Sequence, residues 1–380
     1  MKLLNVKIHR IFFPVELFIL IATANSVLGA TQTWSGTATV NWNAVNGFGT
    51  VPANNDLLVF GADGTVGAAA SDVLNNNITG LIVGTAAASS SGVTFDSGAP
   101  AYTINGNLLN IGLTSGTVTF VNNGTANQTF GTAFNVNGGV NFGLNAASGN
   151  LTMNGVVGGM ASGNALILSG TASTTNFLKN TANTYAGQSQ INSGAILNVV
   201  NFSVYGTAGS LGNRALSSDS YGGVMGLIFN GGGTLQYTGS GAQTTDRMLR
   251  IGAAATFDAS GVTSADTVYF SAHVQNNIAQ TAAARTITLT GSNTGTNTFA
   301  ADLLDNAGVN NLAKTGAGTW IYSGNNNAGA VAADTAAKGS ATTRTTDGGT
   351  FSVSAGLLKL TGDNRDDKQK TVDSLWCAGI

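Results

Sequence analysis

TANTYAGQSQINSGAILNVV, Thr181 to Val200, decides the fold, because pieces of it return later in the chain. LAKTGAGTWIYSGNN runs from Leu312 to Asn326, and GGTFSVSAGLLKLTG from Gly348 to Gly362. Asn183 to Gly187 falls on Asn325 to Gly329, and Ile191 to Ile196 on Val353 to Leu358, with Gly194 on Gly356. Short alternating apolar runs flank turns of Gly, Asn and Ser in each copy, which is the signature of strands meeting at corners. Self-similarity of this kind marks stacked repeats, in which each unit buries its apolar face against the next.

The rest of the chain supplies more runs of the same length. They end at Phe95, Val121, Gly170, Gly239 and Gly291, and between them lie Gly, Asn and Ser. Capped helical periodicity is missing, and the Ala-rich patches Ala86 to Ala88 and Ala332 to Ala337 read as loops. No Pro follows Pro100, which suits strands whose every N–H joins a ladder. Matched hairpins are rare, so a sandwich or barrel fits less well than a solenoid. The expected fold is all-β, a right-handed parallel β-helix with short Gly/Asn-rich turns. Rungs of roughly 20–25 residues spaced ~4.8 Å apart predict a rod on the order of 65–80 Å. TWSGTATVNWN, Thr33 to Asn43, reads as an opening strand whose Trp34 and Trp42 cover the open end.

Three segments follow from composition. Residues 1–29 read as an export signal: Lys2, Lys7 and Arg10 precede the apolar Leu17 to Ala24, and small residues follow near Gly29. Residues 30–362 form the repeat region, clearest over 181–200 and 312–362. Residues 363–380 form a discordant tail, charged by Asp363, Arg365, Asp366, Asp367, Lys368, Lys370 and Asp373. Two readings of that tail stand side by side: an extension hiding the last rung's edge, or an interruption of a rod whose pattern stops mid-stride. The second is preferred.

Removing the signal takes away three cations and Glu16, the single Glu, so the net charge of −2 becomes about −4. No Lys or Arg occurs between Ala30 and Leu178. Such a surface cannot neutralise a phosphate backbone, which excludes nucleic acid as a partner. Cys377 is the single cysteine, so no intramolecular disulfide forms.

Chemistry is sparse. His273 is the one imidazole left after the signal, with Asp266, Asp258 and Ser271 near it in sequence. No nucleophile elbow accompanies it, and a surface or turn histidine is expected. One His and one Cys cannot build a zinc site, and no clustered calcium loop occurs, although Asp258, or Asp302 with Asp305, could bind calcium weakly alongside carbonyl oxygens. Paired carboxylates for glycoside hydrolysis reduce to Asp366 and Asp367 in the tail. Arg247 and Arg250, near Asp246, would face opposite sides of a strand as surface charges. Trp34, Trp42, Tyr237, Tyr269, Trp320 and Tyr322 could stack on sugars, but core packing is the expected role. No catalytic, cofactor or metal residue is assigned.

The repeated segments resemble the autotransporter-associated β-strand repeat of exported bacterial passenger regions. Leu312, Lys314, Gly316, Gly318, Thr319, Ser323, Gly324, Asn325 and Gly329 carry the resemblance, as do Asn183, Thr184, Tyr185, Gly187, Gly194, Ala355, Gly356 and Leu358. Ala195 stands where Thr is usual, Trp320 where Leu is common, and an insertion from Ala330 to Asp347 splits the second repeat. The resemblance implies a surface-exposed β-helical passenger of a Gram-negative-type bacterium without fixing an activity; with no catalytic constellation, the expected role is that of a non-enzymatic, exported rod in adhesion or cell-surface structure. Its expected partners are surface polymers or proteins, polysaccharide among them, with attachment to the outer membrane through a C-terminal part beyond this sequence. The alternative is a polysaccharide-binding or polysaccharide-degrading β-helix.

Overall fold

A computed structural model describes residues 29–34, 41–44, 47–61, 72–84, 90–112, 114–219, 225–271, 284–301, 310–324, 351–361 and 375–378. Among them every regular element is a strand except one 3₁₀ turn, Leu216–Ser218. The strands fall into four sheets of nine, eleven, four and six. One rung shows the plan. Gly116–Asn122 lies in the first sheet, Gln128–Phe130 in the second and Phe134–Val136 in the third; Val140–Ala146 then returns to the first sheet beside Gly116–Asn122. That return is parallel, as is every strand pair but one. The expected parallel β-helix is therefore the architecture observed, a solenoid of about 10 turns. Its right hand follows the steric preference of parallel crossovers.

The repeated sequence is the corner between the solenoid's sheets. Gln188–Asn192 turns into Ile196–Val199, Asn310–Lys314 into Thr319–Tyr322, and Phe351–Val353 into Leu357–Leu360. The turns carry Gly194, Gly316 and Gly356 at φ of 77°, 68° and 69°. An L side chain is strained there, which is why Gly recurs. Asn325 to Gly329 lie outside the described residues, as do residues 1–28 of the signal segment, both Ala-rich patches and the insertion.

Period-2 burial feeds one continuous core. Phe60 stacks on Phe95 at 5.1 Å, Phe95 meets Phe130 at 5.8 Å, and Phe120 meets Phe142 at 5.0 Å. Aliphatic Leu166, Leu168, Ile191, Leu197 and Leu227 fill the middle. A second aromatic run then passes through Phe257, Phe270 and Phe299. With no disulfide framework, this core and the backbone ladders hold the rod together.

Two expectations need correction. Rung length is not uniform: Asn141 bonds Thr117 across 24 residues, but Asn198 bonds Gln236 across 38 and Lys314 bonds Ala355 across 41. Rungs of unequal length take up more chain per step, so the eleven strands of the longest sheet span only roughly 50 Å at ~4.8 Å per step. Nor is Thr33 to Asn43 one strand. Thr31–Trp34 is a strand, and Asn41 makes an isolated parallel bridge to Asn75. Trp34 and Trp42 nevertheless both pack on Phe48, at 5.1 and 5.7 Å, and close this end. Polar groups complete the cap. Asn54 Oδ1 accepts the Ile82 N–H, and Asp56 accepts the Ala30 and Ala53 N–H groups, satisfying an otherwise open sheet edge. At the other end Leu375–Ala378 pairs antiparallel with Leu357–Leu360 and covers that strand's backbone edge.

Candidate functional site

Register sets the outer surface. Facing outward on the second sheet, Val73, Thr103, Thr129, Thr152, Phe177, Asn198, Gln236, Asp258 and Thr290 form one column. Thr234, Thr256 and Thr288 form a second column beside it. Hydrogen bonds run along the columns. Asn198 Nδ2 donates to Gln236 Oε1 at 2.8 Å, and Gln236 Nε2 donates to Asp258 Oδ2 at 2.8 Å. Elsewhere Asn135 Nδ2 donates to Asn110 Oδ1 at 3.1 Å, and Asn192 Nδ2 to Ser169 Oγ at 3.1 Å. A parallel stack brings like polar groups within reach at every rung, so uncharged rows form without bends in the backbone.

The residues considered for catalysis are not assembled into a site. Asp258 holds Gln236 and Ser260. Asp266 accepts the Gly241 N–H and both the N–H and hydroxyl of Thr263, and these bonds hold its carboxyl below the usual range. Ser271 donates its hydroxyl to the Thr245 carbonyl. Each group thus has a structural partner of its own. His273, Asp302, Asp305, Asp366 and Asp367 lie outside the described residues. Among those described, no three His, Cys, Asp or Glu side chains group as a metal site.

Of the six aromatics, Trp34, Trp42, Tyr237, Trp320 and Tyr322 are buried, as core packing requires. Tyr269 alone stands out, 42% exposed, between Thr244 and Thr298 in the fourth sheet.

Arg247 corrects the reading of a surface charge: it is 2% exposed. The chain between Val199 and Leu227 leaves the ladder and packs beside this rung, and its polar groups receive the guanidinium. Nη2 of Arg247 donates to Ser203 Oγ at 3.2 Å and to the Gly212 carbonyl at 2.7 Å. Arg250, in the strand Leu249–Ile251, does lie on the outer face opposite Ile228. The same excursion carries a buried ion pair, Arg214 with Asp219. Asp219 also accepts from the Tyr205 hydroxyl and from the Gly226 N–H. Burial, with the Asp219 charge adding to it, pushes the Tyr205 hydroxyl well above its ordinary range.

The motif residues act inside the rod. Asn183 Oδ1 accepts the Val157 N–H at 2.8 Å, and its Nδ2 donates to the Asn180 and Ser210 carbonyls. The Tyr185 hydroxyl lies 2.9 Å from Ser189 Oγ, and burial raises its pKa to about 12. Lys314 belongs to the repeat motif, but the motif gave no signal of where its charge goes. It occupies the core column after Leu289 and before Val353, with its ammonium bonding the carbonyls of Thr315, Gly316 and Ala355.

Burial lowers the Lys314 pKa to about 8. The unfolded chain therefore binds the proton more tightly, and a stability penalty present below pH 8 is relieved as pH rises toward 10.5. Denaturant titrations of the wild type should show stability rising between pH 8 and 9.5. Lys314→Met should flatten that rise, and an identical slope in the variant would contradict the assignment.

Over 190 residues, 46% of the chain, the sequence is 32% identical to the adhesin BmaC autotransporter of Brucella suis biovar 1 (strain 1330). The chain covers 5% of that relative's length. No family model matches the chain, and no solved structure does. The similarity and the solenoid together fit an autotransporter passenger-type β-helix.

Proposed function

We propose that this chain is part of an exported, non-enzymatic surface passenger, a rod that adheres by weak multivalent contact with surface polymers or proteins. The outer columns carry this reading, because Thr103, Thr129 and Thr152 in one and Thr234, Thr256 and Thr288 in the other repeat an uncharged hydroxyl from rung to rung. Contacts that are weak singly add up when a rigid scaffold holds them in register with a repeating partner. Similarity to an adhesin supports the same reading.

The test is retention of chain-coated beads on a panel of surface glycans and matrix proteins. Coated beads should be held above bare ones, and Thr103→Asp with Thr129→Asp and Thr152→Asp should abolish retention while circular dichroism stays β-rich. Retention unchanged by the triple substitution would remove the columns as the binding surface. Release of reducing sugars from the panel would instead point to catalysis.

A further inference from the structure

Lys179 is the first Lys or Arg after Arg10, and its surroundings suit a reaction rather than an ion pair. The residue follows the strand Thr175–Leu178 on the outer face, and its chain crosses the Phe177 ring with Nζ 4.6 Å from the ring centre. Nζ then meets Asn198 Oδ1 at 2.8 Å, one rung away and 19 residues on. No carboxylate accepts from it among the described residues. Asn198 is fully buried, although it stands in the outward column.

The Asn198 carboxamide is held and polarised from several sides. Thr238 Oγ1 donates to Oδ1 at 3.1 Å and lies 3.0 Å from Nδ2. Nδ2 also donates to Gln236 Oε1, whose own amide is fixed by Asp258. We propose that Lys179 and Asn198 join in an intramolecular isopeptide bond that staples two adjacent rungs.

The neutral Lys179 amine attacks Asn198 Cγ, forming the C–N bond and pushing the carbonyl electron pair onto Oδ1. Thr238 supports the charge on that oxygen and relays one proton from the new ammonium nitrogen to Nδ2. The Cγ–Nδ2 bond then breaks and ammonia leaves. Amine and carboxamide become a secondary amide and ammonia, with no oxidant, reductant or cofactor. Burial lowers the Lys179 pKa and so favours the neutral amine that the attack needs. A half-buried, close-packed rung supplies proximity, since fixing both reactants removes most of the entropic barrier of a bimolecular aminolysis. A rod without disulfides would gain a covalent tie here.

Intact mass of the denatured wild-type chain is the test. The mass should be lower than that of the sequence by one ammonia, and proteolysis should release a branched peptide joining the segments around Lys179 and Asn198. Lys179→Arg and Asn198→Ala should each restore the full mass, read on denatured protein so that misfolding does not obscure it. Thr238→Val should slow the loss of ammonia. A wild-type chain of full mass overturns the proposal. So does an ammonia loss that persists in Lys179→Arg, because it then arises from succinimide at an Asn–Gly step such as Asn154 and Gly155.

Discussion

Phe257→Ala is expected to lower the unfolding free energy by about 3–5 kcal/mol. Phe257 lies in the strand Ala254–Ala259 and is fully buried. Its ring touches Phe229 at 5.1 Å, Phe270 at 4.9 Å and Phe299 at 5.0 Å. Truncation therefore opens a cavity that neighbouring rungs cannot close, because parallel ladders fix their backbones at ~4.8 Å. The cost then combines lost transfer energy with the void left behind. Phe257→Leu should lose about 1.5 kcal/mol or less by keeping most of the volume. Thr256→Ala, on the outer face of the same strand, should stay within roughly 0.5 kcal/mol. Denaturant melts of the three variants check the order. A Phe257→Ala loss no larger than that of Thr256→Ala would show that rung packing does not carry the stability.

Contacts in a solenoid run mainly between neighbouring rungs, so such a variant also divides the rod into two halves with weakened coupling. Two transitions in place of one are expected when each side is followed by its own probe. The N-terminal side has Trp34 and Trp42 as natural reporters, and the C-terminal side has Trp320. Their fluorescence should separate in midpoint in Phe257→Ala and coincide in the wild type.

How much was legible in the sequence divides along a physical line. Corners were readable, because positive φ demands Gly locally: Gly194, Gly316 and Gly356 announce themselves without knowledge of their neighbours. Strands with clean alternation were readable too, and Ala165–Gly170 and Arg285–Thr290 coincide with runs visible in the sequence. Side chains whose environment comes from a distant rung were not readable. Arg247 looked like a surface charge because its acceptors, Ser203 and Gly212, lie 44 and 35 residues away. The place of the Lys314 ammonium depends on the Ala355 carbonyl, 41 residues on. Trp34 and Trp42 share one cluster through Phe48, a contact that their spacing does not announce. The candidate site was legible only as composition. Asn and Thr are visibly abundant, but which residues share a column depends on register, and excursions such as that between Val199 and Leu227 shift register by amounts the repeat does not reveal.

That excursion carries the second large effect. The side chains of Arg214 and Asp219 are both fully buried, and their pairing braces the excursion internally. Nη1 of Arg214 donates to the Ser162 carbonyl at 2.7 Å and the Ala186 carbonyl at 2.9 Å, and Nη2 donates to Ser218 at 2.6 Å. Asp219→Ala leaves this guanidinium buried without its counter-charge, and it strips the acceptor from Tyr205 and Gly226. Removing one partner of a buried pair typically costs about 3–5 kcal/mol, because desolvation of the survivor is no longer compensated. Arg214→Met should cost a comparable amount. The combined Arg214→Met and Asp219→Ala chain should lose clearly less than the two single losses together, since neither leaves a lone charge behind. A double-mutant cycle by denaturant melts measures this coupling directly. Strict additivity of the two changes would mean that the pair is screened by solvent, and that the excursion is held by its carbonyl bonds alone.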